Sequence, residues 1–178
     1  MTRLTRTLTV EERKLSHERA KQGLCRQCGL DVHRFSPKRR TFCSDECVHE
    51  YRVRTDSGYA RHAVYLREHG ICQQCGLNCS SWFSQFRKFI TSYEIKQLVW
   101  HYGTHRECQE FQNAIVEHYF ELNGVPYYKG WRNRRTFWDV DHIIEVCRGG
   151  GSCGLDNLQL LCVNCHKAKT GKLLRKKS

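Results

Sequence analysis

Eight of the twelve cysteines in this 178-residue chain stand in closely spaced pairs, and that spacing constrains the fold more than any other feature. The pairs are Cys25-x-x-Cys28, Cys43-x-x-x-Cys47, Cys72-x-x-Cys75 and Cys162-x-x-Cys165. A chain of this length, with 39% hydrophobic residues, makes one ordinary domain or two small ones. Small domains bury too little apolar surface to be secure without a cross-link or a metal. Disulfides require an oxidising compartment and hence a secretory signal. Residues 1–10 contain no apolar stretch, and Glu11-Glu12-Arg13-Lys14 follow at once. No run of about eighteen apolar residues occurs, so no transmembrane helix is expected. The reading is an intracellular protein with reduced thiols whose paired cysteines bind metal.

A Cys-x-x-Cys pair presents two thiolates along one edge of a tetrahedron, so two pairs close a structural Zn²⁺ site with no open position. Cys72, Cys75, Cys162 and Cys165 are read as one such site. Their separation along the chain is no obstacle, because loop-closure cost grows slowly with length. Cys25, Cys28, Cys43 and Cys47 are read as a second. His33 and His49 lie in or beside that cluster and could replace a thiolate, although four cysteines suffice. Cys79, Cys108, Cys147 and Cys153 are left over, and buried free thiols are expected there.

The formal net charge is +12, from 30 lysines and arginines against 18 acids, which implies a polyanionic partner. Nucleic acid is the default, and a membrane surface is the weaker alternative because no clean basic amphipathic helix stands out. Arg26, Lys38, Arg39, Arg40, Arg52 and Arg54 flank the first cysteine cluster. They either touch a phosphate backbone or form a solvated basic surface.

Along the chain, residues 1–24 read as a basic arm or single helix, 25–56 as a four-cysteine zinc-binding module, and 57–178 as a second domain. That domain carries a helical insert at about 77–135. A helix over 57–69 should turn Ala63, Val64 and Leu66 inward and end on Gly70. Within the insert, Trp82, Phe83, Phe86, Phe89 and Ile90 recur at helical spacing, as do Phe111, Ile115 and Tyr119. Both stripes read as packing faces, and Asn123-Gly124-Val125-Pro126 ends the second. Phe137 to Ile144 alternates like a strand, Gly149-Gly150-Gly151-Ser152 breaks it, Leu155 to Leu161 makes a second strand, and Asn164 to Lys177 a helix. The fold class is small α+β, built on a ββα unit.

The ordered set Asp141-His142-Ile143, the triple glycine, Leu155-Asp156-Asn157-Leu158-Gln159 and Cys162-x-x-Cys165-His166-x-x-Lys169-Thr170 resembles the HNH (ββα-metal) endonuclease family. The family takes its name from His…Asn…His, here His142, Asn157 and His166. The likeness runs from Cys72 to Thr170. It implies hydrolysis of DNA phosphodiester bonds, leaving 5′-phosphate and 3′-hydroxyl ends. His142 would be the general base, since imidazole titrates near neutrality. Asp141 and His166 would hold one divalent cation, and a mixed oxygen and nitrogen donor set takes Mg²⁺ or Mn²⁺. Asn157 would bridge the loop between the strands and hold the backbone that presents His142. Adjacent strand residues point to opposite faces, so a distortion is expected at Asp141 and His142 if both serve one site.

Arg132, Arg134 and Arg135, with Lys167, Lys169 and Lys172 on the last helix, are candidate DNA contacts or solvated charges. Asp139 and Glu145 are candidate supports for the site. Two other readings stay open: a catalytically inactive zinc-supported DNA-binding module of the same fold, and a zinc module for protein interaction. No membrane and no small-molecule substrate is expected, and the oligomeric state is not legible. The location would be cytoplasmic in a bacterium or phage host and nuclear in a eukaryote.

Overall fold

The structure is a computed structural model that describes residues 8–100, 104–151 and 153–175. Residues 1–7 of the expected arm, Ser152 of the glycine loop, and Lys176 and Lys177 of the expected last helix lie outside these ranges. The chain divides into two compact units: Met1–His69 with Val140–Leu160, and Gly70–Asp139 with Leu161–Ser178.

In the first unit, α1 (Val10–Lys21) opens with a capping box in which Thr9 and Glu12 satisfy each other's backbone N–H groups. It buries only Ser16, in keeping with its shortage of apolar anchors. Helix α2 (Asp45–Thr55) is capped by Ser44, whose hydroxyl accepts the Cys47 N–H, so the Cys43 and Cys47 thiols meet at its first turn. Helix α3 (Ser57–Glu68) is capped by Asp56, which accepts the N–H groups of Gly58 and Tyr59, and it packs against α2. The buried line of α3 is Ala60 and Val64, four residues apart, while Leu66 is exposed. Of the expected face, Val64 is thus fully buried and Ala63 half-buried, and only Leu66 turns outward. It ends at His69 in the left-handed region (φ 54°), one residue before the glycine expected there.

The second unit holds α4 (Cys79–Ile90), α5 (Tyr93–Trp100) and α6 (His105–Leu122), with side-chain caps at Asn78 and Thr104. Its core joins Trp82, Phe86 and Ile90 of α4 to Val116 and Phe120 of α6, closed by Ile95, Val125, Trp131, Phe137 and Val163. Trp82 and Phe120 meet at 4.5 Å between ring centroids, edge to face. The aromatic stripes are packing faces, as expected. On α6 the deepest pair lies one residue past the expected line, and Ile115 and Tyr119 flank the core instead.

Strands β1 (Trp138–His142) and β2 (Leu158–Cys162) form a two-stranded sheet, and the division between units falls within both. The Ile143 N–H donates to the Asn157 carbonyl at 2.7 Å and the Val163 N–H to the Phe137 carbonyl at 3.1 Å. Those two bonds make the pairing antiparallel. Helix α7 (Val163–Arg175) follows β2 without a loop, completing the ββα order of a small α+β fold. The expected alternation in β1 does not appear: Trp138, Asp139, Val140 and His142 are all buried, so both faces of the strand are covered. No helix is long and apolar enough to cross a membrane among the described residues.

Candidate active site

The loop that follows β1 is held by one side chain. Asn157 accepts the Ile144 N–H at 2.7 Å and donates to the carbonyls of Ile144 and Gly150, each at 3.0 Å. Three bonds from one amide use both its donors and its acceptor oxygen, so its orientation is fully specified. The loop can close this tightly because of two glycines. A Cβ at Gly150 would stand 1.9 Å from the Ile144 carbonyl oxygen and 2.7 Å from the Asn157 amide nitrogen. Gly149 sits at φ 92°, where side chains are strained. His142, buried at 7% exposure, ends the strand directly ahead of this pinned backbone, and Asp141 beside it is half-buried.

A second clamp grips the other end of the loop. Arg67 at the end of α3 donates to the carbonyls of Leu155 (2.9 Å) and Leu158 (2.5 Å), the residues flanking the turn that carries Asn157. Its neighbour Glu68 accepts the Leu160 N–H at 2.5 Å and pairs with Arg67 through its other oxygen. Sequence reasoning missed both residues. Their partners lie 88 to 92 positions away, and nothing local in the sequence marks them.

In the second unit, His166 lies in the first turns of α7, and its Nδ1 is 3.2 Å from the Asp139 carboxylate. The same carboxylate oxygen takes an ion pair from Arg134 at 2.8 Å. Burial, the largest single influence, pushes the Asp139 pKa up, but hydrogen bonds and charge from His166 and Arg134 outweigh it and bring it down to about 2. Asp139 is thus a buried carboxylate that stays ionised. A neutral imidazole donating from Nδ1 carries its lone pair on Nε2, and a carboxylate behind the ring is the usual support of a metal-binding histidine. Glu145, the other candidate support, pairs instead with Arg148 at 3.5 Å.

The predicted DNA contacts fall into different surroundings. Arg134 is largely buried, held by Asp139 and by the Thr136 and Trp138 carbonyls. Arg132 lies against α6, bonded to Asn113 and Gln112, with its guanidinium 4.4 Å from the Trp131 ring centroid. Lys167 stands 4.4 Å over the Tyr128 ring. Arg135 and Lys172 are exposed and Lys169 is half-buried.

Both cysteine quartets are assembled. Within each, the four sulfurs lie within 4.8 Å of one another. The Cys28–Cys43 and Cys43–Cys47 sulfurs are 3.6 Å apart, and Cys75–Cys162 are 3.8 Å apart. A disulfide needs about 2 Å, whereas the edge of a zinc–thiolate tetrahedron is about 3.8 Å. The electrostatics agree. Burial opposes ionisation of Cys25, yet the backbone groups of Cys28, Cys43 and Gln27 bring its thiol down to about 6, and Cys72 falls to about 7 in the same way. Burial and the neighbouring thiols push Cys47 up to about 12 and raise Cys165 as well. Four thiolates cannot ionise together unaided, and a bound dication removes that obstacle. Each quartet could therefore hold one metal ion. Of the remaining cysteines, Cys79 is fully buried as expected, but Cys147 is exposed and Cys108 and Cys153 are half-buried.

The profile of the HNH endonuclease family matches residues 130–172, spanning both strands, the glycine loop and most of α7. The chain belongs to the HNH endonuclease family. It is similar to the DNA annealing helicase and endonuclease ZRANB3, at 35% identity over 137 residues of the Homo sapiens protein and likewise for the Mus musculus protein. The Bos taurus protein matches at 32% over 161 residues. These alignments take in 77% or more of this chain but only 11% to 14% of the relatives, so the chain spans a small part of their length. The crystal structure of the human ZRANB3 HNH domain matches 64% of this chain and 86% of its own, at 30% identity and a TM-score of 0.35. The family assignment rests on the sequence matches.

Proposed function

We propose that this protein is an active, metal-dependent DNA endonuclease. The observation that carries the reading is the Asn157 clamp, which pins the backbone on both sides of the loop beginning at His142. A general base must hold its position to within fractions of an ångström to be effective, and a triply bonded asparagine behind it meets that need. His142 accepts a proton from the attacking water. Asp141 and His166 would hold one divalent cation, Mg²⁺ or Mn²⁺, with His166 oriented by Asp139. Bound there, the cation would supply positive charge against that growing on the scissile phosphate and the departing oxygen. Arg135, Lys167, Lys169 and Lys172 meet the DNA backbone, joined by Arg132 at the surface of the insert.

Zn²⁺ is the ion proposed for both quartets, on the strength of four thiolate donors at tetrahedral spacing. Residues 57–178, with the insert at about 77–135, make up the nuclease domain, behind the four-cysteine module at 25–56 and the basic segment 1–24. The cellular site of action is wherever DNA is held, the nucleus in a eukaryotic host.

Plasmid cleavage by zinc-loaded protein tests the reading, with Mg²⁺ or Mn²⁺ added or withheld, beside His142→Ala. Metal-dependent nicking or linearisation that disappears in the folded variant supports both the activity and the base. A His142→Ala protein that cuts as fast as the parent removes the base assignment. DNA that is bound but left whole under every metal and substrate form makes the chain an inactive DNA-binding module.

A further inference from the structure

The arginines around the first quartet are not equivalent. Arg19 donates to the Gln27 carbonyl at 2.7 Å, and Arg26 reaches Ser16 at 3.2 Å while lying 5.2 Å from the Tyr51 ring centroid. Arg39 pairs with Asp45 at 2.9 Å, Arg52 with Asp56 at 3.4 Å, and Arg54 with Glu12. These five are parts of the module's own framework. Arg34, Lys38 and Arg40 differ: all three are exposed, and none has a carboxylate partner among the described residues. They share one loop, residues 29–42, whose single acid, Asp31, accepts the His33 N–H at 2.8 Å.

The same loop carries Phe35, 66% exposed, with the Arg34 guanidinium 5.4 Å from its ring centroid. The loop is braced on several sides. Cys28 and Cys43 lie at its two ends with sulfurs 3.6 Å apart. The Arg26 N–H bonds the Thr41 carbonyl at 3.1 Å, and Leu24 bridges Asp31. Val32 is buried, and the Arg39 N–H closes a turn on the Ser36 carbonyl at 3.2 Å. Phe35 is thus an apolar ring held out in water on a stiff, cationic loop, so little order remains to be imposed on binding.

We propose that this loop is a contact for single-stranded nucleic acid, with Phe35 stacking on an unpaired base and Arg34, Lys38 and Arg40 meeting the adjoining phosphates. A base offers an aromatic face to a ring and sits between negative charges, which is the complement of this loop. Duplex DNA hides those faces, so the aromatic part of the contact is specific to unpaired nucleotides. The proposal deepens the nuclease reading by adding a substrate contact in the unit that also contains His142.

The test is fluorescence anisotropy on the full zinc-loaded chain, made non-cutting by His142→Ala, with a labelled oligothymidine and a blunt-ended two-strand duplex as probes. Phe35→Ala should weaken oligothymidine binding about tenfold and change duplex binding less than twofold, while Phe35→Trp keeps the affinity. Replacing Arg34, Lys38 and Arg40 together by alanine should remove three phosphate contacts and so flatten the slope of log affinity against log salt by about 2 on the single strand. Oligothymidine affinity unchanged by Phe35→Ala, or an equal loss on both probes with the melting temperature and zinc content intact, overturns the proposal. The two readings fail separately. A parent chain that never cuts but shows this binding pattern loses the nuclease reading alone, and one that cuts while Phe35→Ala binds normally loses the loop alone.

Discussion

Glu68 offers a demanding test of how the loop between β1 and β2 is held. Its carboxylate is 8% exposed, accepts the Leu160 N–H at 2.5 Å and steadies Arg67, which in turn caps two carbonyls beside Asn157. Glu68→Ala removes a charge-assisted hydrogen bond and leaves a strand N–H buried without an acceptor, which together cost about 2–4 kcal/mol. The Arg67 side chain is 35% exposed, so loss of the ion pair itself adds little. For a chain of this size the melting temperature should fall by about 4–15 °C. Glu68→Gln keeps an acceptor and the shape, and should cost about 1 kcal/mol. Scanning fluorimetry measures the stabilities. Plasmid nicking well below either midpoint measures the loop, where a displaced base lowers the rate of Glu68→Ala by about tenfold or more. A Glu68→Ala protein that melts within a degree of the parent and cuts at its rate would refute the clamp.

Gly150→Ala should abolish cleavage and lower stability by several kcal/mol, because its Cβ meets a backbone oxygen that cannot swing aside. A variant nicking within twofold of the parent contradicts that geometry. Asp139 ionises at about 2 when folded, below its ordinary value of about 3.9, so it stabilises the protein above pH 4. The stability gap between parent and Asp139→Asn, followed by chemical denaturation at each pH, should therefore be constant near neutrality and close between about pH 4 and 2. A gap that instead closes between pH 6 and 8 points to another group. Maleimide labelling read by peptide mapping should modify exposed Cys147 first and spare the quartets until a chelator is added. Cys79, fully buried and pushed up to about 12 by burial and by the thiols of Cys162, Cys72 and Cys75, should react last. Cys28 and Cys75, both exposed, labelling as fast as Cys147 before chelation would mean that the quartets hold no metal.

Much of this was legible because it is local. Three of the four pairs repeat Cys-x-x-Cys, and at two of them a turn closed by glycine at positive φ, Gly29 and Gly76, forms the knuckle without help from the rest of the chain. The strand, loop, strand, helix order showed in apolar runs and three glycines. The rest depends on contacts that no spacing encodes. Helix α3 has apolar residues on more than one side, and its buried line runs through Ala60 and Val64 while Leu66 is left exposed. Arg134 sits among basic residues and reads as a phosphate contact, but a buried aspartate five positions on draws it inward. Arg67 and Glu68 read as an ordinary charged helix end until the hairpin they grip is placed beside them.

The two quartets also differ in when they can exist. The first closes over a short stretch, with Cys28 and Cys43 only 15 residues apart, whereas Cys75 and Cys162 are separated by 87. At ordinary synthesis rates the ribosome releases the last thiol of the second quartet roughly 6–24 s after the last of the first. Cys72 and Cys75, made 25 and 28 residues after Cys47, spend most of that interval as half of a quartet that lacks Cys162 and Cys165. The strands bearing His142 and Asn157 emerge in the same interval. The junction of β2 and α7, which carries Cys162 and Cys165, is therefore the last part of the chain that a metal could fasten.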